Sequence, residues 1–288
     1  MRIESVEPVP ARDRPLRHLA LLGATLVTTT VAGARIAGVE PRSLITWATG
    51  LPFSVTLLAI LLTHEAGHYL MCRRHGIAAS LPYVLPAPPF FLLGTFGAII
   101  RVRSRFPDRR ALFDMGAAGP WAGFAIALPA MVLGLRLSSI DNTPPHGPAM
   151  MLGDSLLTST LIRLVLHTDP DTVVLHPVAF AAWAGLLVTS LNLLPVGQLD
   201  GGHVLYAARG RRAVLVPAML VATLLWLSVT GSPFWILWTA VAAGMLVMGH
   251  PPTMNDGLPL DGARRVGSLA SLLLFLVTFV PEPIRILP

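Results

Sequence analysis

Long apolar segments alternate with short arginine-bearing segments along this chain. A helix needs about 20 apolar residues to cross the hydrocarbon core of a bilayer, and the apolar runs do not alternate with a period of two as barrel strands do. The pattern therefore predicts an all-α polytopic membrane protein with six or seven transmembrane helices. The predicted spans are 18–38, 46–71, 115–137, 177–195, 213–230, 233–249 and 266–281.

The segment between the second and third predicted spans is apolar but does not predict a helix. Prolines remove backbone donors and interrupt helices, and irregular backbone at membrane depth must be covered by protein or water. We therefore expect a re-entrant or β-hairpin segment, with a short strand or hairpin from Gly94 to Arg103. The prolines within residues 82–98 are Pro82, Pro86, Pro88 and Pro89.

The composition agrees with a membrane protein. Hydrophobic residues make up 53% of the chain and charged residues 12%, and the mean hydropathy is +0.67, outside the range of ordinary soluble domains. The net charge of +6 comes from scattered short clusters, so we expect no nucleic-acid partner. The single cysteine, Cys72, can form no internal disulfide.

The distribution of arginine predicts the orientation. All 21 basic residues are arginine, and loops on the cytoplasmic side carry the excess of basic residues. With a cytoplasmic N-terminus, 16 arginines fall inside and five outside. We expect a multi-pass protein of this orientation, with the lipid bilayer as a partner, and the arginine-only composition favours a bacterial cytoplasmic (inner) membrane.

His64, Glu65 and His68 lie late in the second predicted span, in LLTHEAGHYL. Residues i and i+4 share one face of a helix, so both imidazoles can bind one metal ion, with the glutamate as general base. The motif alone also occurs by chance in soluble helices. A charged side chain inside a membrane costs about 2.5 kcal/mol or more, however, so such a group usually has a function.

A catalytic zinc takes a third protein ligand, and Asp200 is the best candidate. His64 lies nine residues before Arg73 and Asp200 lies nine before Arg209, so both sites are expected at a similar depth. A solvated loop carboxylate is the alternative for Asp200. Four residues that disfavour helices are expected to unwind the chain nearby: Pro195, Gly197, Gly201 and Gly202.

Further residues suggest contacts with a substrate or with the metal ligands. Asn192 lies within a span and can bond either a substrate or another helix. Gly97 and Ile99 are candidate substrate contacts, because a strand edge pairs with an extended peptide without requiring a sequence; an ordinary surface turn is the alternative. His203 is a candidate to support the metal site without binding the metal. His75 and His250 are expected to be non-ligands near the interface.

A small-residue face in the third span predicts close helix packing, which can bring the metal-binding helix and the Asp200 segment together. It consists of Gly116, Ala117, Ala118, Gly119, Ala122 and Gly123.

Three motifs in chain order resemble the site-2 protease family of intramembrane zinc metalloproteases. They are HEAGH, AGPWAG at 118–123 and NLLPVGQLDGG at 192–202. The segment from LPAPPFF to DMGAAGP, residues 85–120, is further similar to a bacterial and plastid branch of that family. The resemblance covers residues 52–210, and no segment has the length or polarity of a PDZ or CBS domain, so a compact branch is expected.

The resemblance implies one Zn²⁺ per chain held by His64, His68 and Asp200, with Glu65 as catalytic base. It implies cleavage of a membrane-spanning protein substrate near the cytoplasmic face, as in regulated intramembrane proteolysis. The expected parts are a cytoplasmic segment 1–17, an anchor with external loop 18–44, a catalytic membrane core 45–210 and C-terminal transmembrane helices 211–288. Within the core, residues 138–175 are expected to form an external loop with a short helix near 155–166.

Two other classes of function stay open. A metal or solute transporter also places His and carboxylate groups midway across a membrane, but transporters tend to show interrupted helices in repeated halves, and no such repeat is evident. A catalytically silent relative would bind membrane partners only. The intact Glu65 argues against that hypothesis, because a silent relative would have no need of the base.

Overall fold

Apolar helices dominate the computed structural model, which describes residues 14–88, 90–141, 149–213 and 215–287. The mostly helical class expected from the sequence is confirmed. The helices are α1 (Pro15–Ile36), α2 (Leu44–Ala48), α3 (Leu51–Arg74), α4 (Arg109–Arg136), α5 (Leu156–Leu166), α6 (Pro177–Asn192), α7 (Asp200–Arg209), α8 (Leu215–Thr230), α9 (Phe234–Met248) and α10 (Gly262–Thr278). Two short 3₁₀ turns follow α5 and α7, at Pro170–Thr172 and Gly210–Ala213.

Three of these helices are long and apolar enough to cross a membrane: α1, α3 and α4. At about 1.5 Å per residue they are roughly 33 to 42 Å long, against a hydrocarbon thickness of about 30 Å. Helices α6, α8 and α9 are apolar but have only 16, 16 and 15 residues. Every predicted span contains a helix, and the number of crossings stays a prediction.

A β-hairpin follows α3, where the prolines prevent a helix. Strands β1 (Tyr83–Pro86) and β2 (Thr95–Ile99) are antiparallel, with Val84 opposite Ala98. The structure therefore has a hairpin in this segment, and the re-entry of the segment into the membrane stays a prediction. The last of the four prolines, Pro89, lies outside the described residues.

Short strand pairs at the other end of the bundle add to the helical architecture. Strand β3 (Ser139–Ile140) pairs with β5 (Val173–Val174), and β4 (Ala149–Leu152) pairs with β6 (Ile284–Leu287). The short helix expected near 155–166 is α5. The fold is thus helical with three two-stranded sheets among the described residues, which an all-α class does not include.

Helix α3 lies at the centre of the bundle and packs against α1, α4 and α6. Its Phe53, Leu57 and Ile60 are almost fully buried. A Cβ added at Gly185 of α6 would come within 2.8 Å of the Ile60 side chain, so the two helices pack closely because a residue without a side chain lies between them. Helices α8 and α9 instead keep large apolar side chains exposed, as lipid-facing helices do.

Polar side chains join several helices at one end of the bundle. The Asp114 carboxylate of α4 lies 2.7 Å from the Arg264 guanidinium of α10 and 2.9 Å from Nε2 of His75. Asp261 accepts a hydrogen bond from the Arg264 backbone amide at the start of α10, and this bond lowers the pKa of the Asp261 carboxyl. Arginines that were predicted to be cytoplasmic lie nearby in the chain, at the end of α3, before and at the start of α4, and in the first turn of α10.

Candidate metal centre

Three side chains from two helices converge inside the bundle. His64 and His68 lie one turn apart on α3, and Asp200 is the first residue of α7. Asp200 Oδ2 is 3.1 Å from His64 Nε2, Asp200 Oδ1 is 3.3 Å from His68 Nε2, and the two Nε2 atoms are 3.0 Å apart. The structure therefore brings together all three residues that the sequence proposed as metal ligands.

These separations fit a zinc ion. Tetrahedral Zn²⁺ with Zn–N distances of about 2.0–2.1 Å has donor-to-donor edges of about 3.3 Å. Nδ1 of His68 donates a hydrogen bond of 2.8 Å to the Met115 carbonyl, so in the neutral ring Nε2 carries a lone pair that faces the carboxylate. Electron-rich atoms so close together, with both histidines only 4–5% exposed, require a cation or a proton between them.

Glu65 is buried beside the two histidines, with 7% of its surface exposed. Ligand atoms of His64, Glu65 and His68 all lie within 4.8 Å of one another. The backbone amide of Ile100, just after β2, donates a hydrogen bond to the Glu65 carboxylate. A carboxylate held by one amide beside a metal site has its remaining lone pairs free to accept a proton from water.

Glycines of α4 allow this helix to touch the ligands. A Cβ added at Gly119 would lie 2.1 Å from His68 Nε2, and one at Gly123 would lie 3.2 Å from the His64 Cβ. A Cβ at Gly116 would lie 3.2 Å from the Asp200 carbonyl oxygen. The predicted small-residue face thus packs directly on α3 and on the start of α7, which brings the two sets of ligands together.

A non-helical segment separates α6 from α7 and allows Asp200 to turn toward the candidate metal site. The break covers residues 193–199 and contains Pro195 and Gly197, whose φ is +55°. Gly201 and Gly202, also expected to unwind the chain, instead lie inside α7. They are needed for close packing, because a Cβ at Gly201 would lie 1.9 Å from the Leu193 carbonyl oxygen.

Of the predicted substrate contacts, Asn192 lies next to a candidate metal ligand, and Gly97 and Ile99 lie in the hairpin. Nδ2 of Asn192, the last residue of α6, is 3.5 Å from His64 Nε2. Gly97 and Ile99 belong to β2 and lie opposite Leu85 and Tyr83 of β1, with Ile99 53% exposed. Sequence reasoning missed Met115 and Ile100, whose backbone groups orient His68 and Glu65 without any side-chain signal.

His203, one turn after Asp200, packs against α4 and the segment that follows α9. Its Nδ1 is 2.7 Å from His250 Nε2, and His250 Nδ1 donates to the Pro251 carbonyl at 2.7 Å. His203 Nδ1 is therefore the donor of the first bond. Burial, with the neighbouring His250, lowers the pKa of His203 to about 3, so the ring is neutral. A supporting role for His203 stays a prediction. His75 bonds to Asp114 and not to any of the candidate metal ligands.

A known protein family matches the part of the chain that contains these residues. The family profile of Peptidase family M50 matches residues 52–225, from the second residue of α3 into α8. The chain belongs to peptidase family M50. This is the site-2 protease family that the motifs resemble, and the M50 match includes all three ligand candidates and Glu65.

Relatives of this M50 chain include plant proteins. It is 35% identical over 243 residues to "Probable zinc metalloprotease EGY1, chloroplastic" of Oryza sativa subsp. japonica. This match covers 81% of this chain and 41% of that protein. It is 33% identical over 237 residues to the protein of the same name from Arabidopsis thaliana, covering 80% and 43%. No solved structure matches the chain.

The M50 assignment agrees with the donor set, and zinc is the metal of this family, as expected from the sequence. The class of enzyme that the family represents is the zinc metalloendopeptidase. The chain spans about two fifths of the length of these relatives. The names of the relatives include the word chloroplastic, so they agree with the membrane metalloprotease expected here but not with the narrower expectation of a bacterial inner membrane.

Proposed function

We propose that this M50 protein is an intramembrane zinc metalloendopeptidase that cleaves a membrane-spanning protein near the cytoplasmic face. The observation that carries the proposal is the juxtaposition of three side chains, whose ligand atoms lie 3.0 to 3.3 Å apart in pairs, with the buried Glu65. Two of the ligands and Glu65 lie in α3, a helix long and apolar enough to span a membrane.

In this proposal His64, His68 and Asp200 hold one Zn²⁺. When bound, the zinc supplies a Lewis acid that polarises the scissile carbonyl and lowers the pKa of the attacking water. Glu65 accepts the proton of that water and passes it to the leaving amine. The Met115 carbonyl fixes the ring of His68, and Asn192 lies close enough to His64 to donate a hydrogen bond to a substrate carbonyl at the site.

An extended segment of the substrate pairs with the outer edge of β2. The Ile100 amide donates to Glu65 and therefore points away from β1. Backbone groups alternate with a period of two, so those of Phe96 and Ala98 point the same way, whereas those of Gly97 and Ile99 face β1. Among the described strands β2 pairs only with β1, which leaves an edge that leads to the catalytic base.

The location and the partners of the protein follow from the same arrangement. The protein is multi-pass with a cytoplasmic N-terminus, since 16 of the 21 arginines then lie inside. The composition favours a bacterial cytoplasmic membrane. Its partners are a membrane-spanning protein substrate and the lipid bilayer, with no nucleic acid. His203 supports the Asp200 end of the site without binding the metal.

The test is a cleavage assay with purified protein against a panel of tagged single-span membrane proteins. Cleavage that stops when a chelator removes zinc, and returns when zinc is added, supports the proposal. Transport is the rival function, because it also needs His and carboxylate groups inside the membrane. Zinc flux into vesicles without cleavage of any panel member would favour transport over proteolysis.

A further inference from the structure

Helix α1 lies outside the M50 match, which begins at residue 52, yet its side chains hold the hairpin. Thr25 Oγ1 shares its proton between the Leu21 carbonyl of its own helix, at 2.8 Å, and the Val84 carbonyl, at 3.2 Å, and Thr28 Oγ1 donates to the Gly94 carbonyl at 2.6 Å. These two bonds join α1 to both sides of the β1–β2 hairpin. The role of α1 is therefore not part of the matched family region.

A third side chain of α1 reaches the base of the hairpin. Nδ1 of His18 donates to the Pro82 carbonyl at 3.0 Å, and its ring lies 4.0 Å from the ring of Tyr83. His18 is only 8% exposed, and its Nε2 has no hydrogen-bond partner among the described residues. A polar ring buried in this way is costly, which indicates that its contact with the hairpin is specific.

The bond from Thr28 to the hairpin differs from the usual behaviour of threonine in a helix, because the contacts of Thr28 Oγ1 with the Ala24 and Thr25 carbonyls of α1 are longer, at 3.2 and 3.1 Å. A helical threonine commonly bonds only to a carbonyl of its own helix, as Thr30 does with Leu26 at 2.6 Å. At the hairpin turn the two backbones almost touch, because a Cβ at Gly94 would lie 2.4 Å from the Thr28 carbonyl oxygen. Gly94, with φ +68°, is therefore seated directly on α1.

These contacts close the outer edge of β1. The carbonyls of Pro82 and Val84 point to α1 and hence away from β2. Pro82 and Pro86 have no backbone N–H to offer a further strand. A substrate strand can then add only at β2, whose pairing with β1 (Tyr83 with Ile99, Val84 with Ala98) transmits the position of α1 to the segment beside Glu65.

We propose that α1 is a clamp for the substrate-binding strand, with His18, Thr25 and Thr28 as positioning residues. They hold β2 at a fixed depth and angle beside Glu65, and so determine which peptide bond of the paired substrate reaches the metal centre. This inference rests on the proposed proteolytic function and specifies how the site selects its cleavage position.

The test compares three variants on the panel protein that the wild type cleaves fastest. Thr25→Val with Thr28→Val removes both hydroxyl donors at nearly constant shape, Thr25→Ser with Thr28→Ser retains them, and Thr30→Val is the matched control. We expect the valine pair to raise KM about two- to tenfold for each lost hydrogen bond. Mass spectrometry should also detect new cleavage at neighbouring peptide bonds, while the serine pair and Thr30→Val behave as wild type.

The readouts separate positioning from simple support of the fold. The clamp is overturned if the valine pair has the same KM and the same cleavage position as the Thr30→Val control. It is also overturned if the valine pair lowers kcat while KM and the cleavage position stay unchanged. If the valine pair loses its zinc, the single Thr25→Val and Thr28→Val variants decide by the same two readouts. Failure of the wild type to cleave any panel member would overturn the proposed function itself, and the clamp with it.

Discussion

The Cβ position of Gly119 lies 2.1 Å from Nε2 of His68. This nitrogen belongs to one of the three side chains that form the candidate metal site, so the backbone of α4 packs directly on the candidate ligands. The glycine allows the ring to keep the orientation set by the Met115 carbonyl. An enclosed site of this kind needs a helix without side chains on one face.

Replacing Gly119 by alanine should therefore disrupt the metal site. The added methyl group cannot coexist with the imidazole of His68, so the ring must rotate away from His64 and Asp200. We expect zinc content to fall well below one ion per chain and cleavage to fall with it. Gly244→Ala is the matched control, because a Cβ there meets nothing within 4 Å. Full zinc content in Gly119→Ala would contradict the geometry.

Asp200→Asn should remove the anionic ligand while keeping the size of the side chain. An amide is a poor zinc ligand, and the two histidines alone do not complete the site. A bound metal stabilises the native state by about 2.7 kcal/mol when free zinc is 100 times Kd, so a chelator should lower the Tm of the wild type but not that of Asp200→Asn. Asp171→Asn, an exposed position, should behave as wild type. An equal chelator shift in both aspartate variants would refute Asp200 as a ligand.

Ala98→Pro should weaken substrate pairing without affecting zinc. The ring of proline removes the N–H that points away from β1, and one hydrogen bond lost is worth about 0.5–1.5 kcal/mol, or roughly a two- to tenfold fall in kcat/KM. Ala98→Val retains the amide and should cleave normally. Ile100→Pro removes the donor to Glu65 as well and should lower kcat further. Unchanged cleavage by both proline variants would count against strand pairing at β2.

Asp114→Asn should lower the free energy of unfolding more than a substitution that removes an ion pair on the surface does. Asp114 accepts two hydrogen bonds from Arg264, at 2.8 and 2.7 Å, and its side chain is 17% exposed. Loss of such a charged, partly buried partner costs about 1–3 kcal/mol. In Asp169→Asn the lost pair with Arg163 is exposed on both sides, where about 0–1 kcal/mol is expected. Thermal unfolding of the two variants checks the difference, and equal Tm values would contradict it.

The candidate metal ligands could be proposed from the sequence because their chemistry is visible there. His64, Glu65 and His68 have helical spacing, and Pro195 and Gly197 before Asp200 indicate a break in the helix. The roles of Gly201 and Gly202 were not predictable in the same way. Glycine permits both unwinding and close packing, and only the position of the Leu193 carbonyl distinguishes the two.

Contacts made by backbone atoms could not be predicted from the sequence. The bonds from Met115 to His68 and from Ile100 to Glu65 depend on where two distant segments meet, and any residue type supplies a carbonyl or an amide. The hairpin itself was predicted from four prolines, but not its attachment to α1. Thr25 and Thr28 look like ordinary helical threonines until the carbonyls of Val84 and Gly94 are placed beside them.

The central claim is that Glu65 performs the proton transfer at a zinc site formed by its neighbours. The most direct measurement compares wild type and Glu65→Gln for zinc content and for cleavage of the panel. Glutamine keeps the size of the side chain but cannot accept the proton, and a general base contributes about 10²–10⁴-fold. We expect full zinc content with cleavage reduced by about that factor. Cleavage by Glu65→Gln at the wild-type rate would contradict the claim.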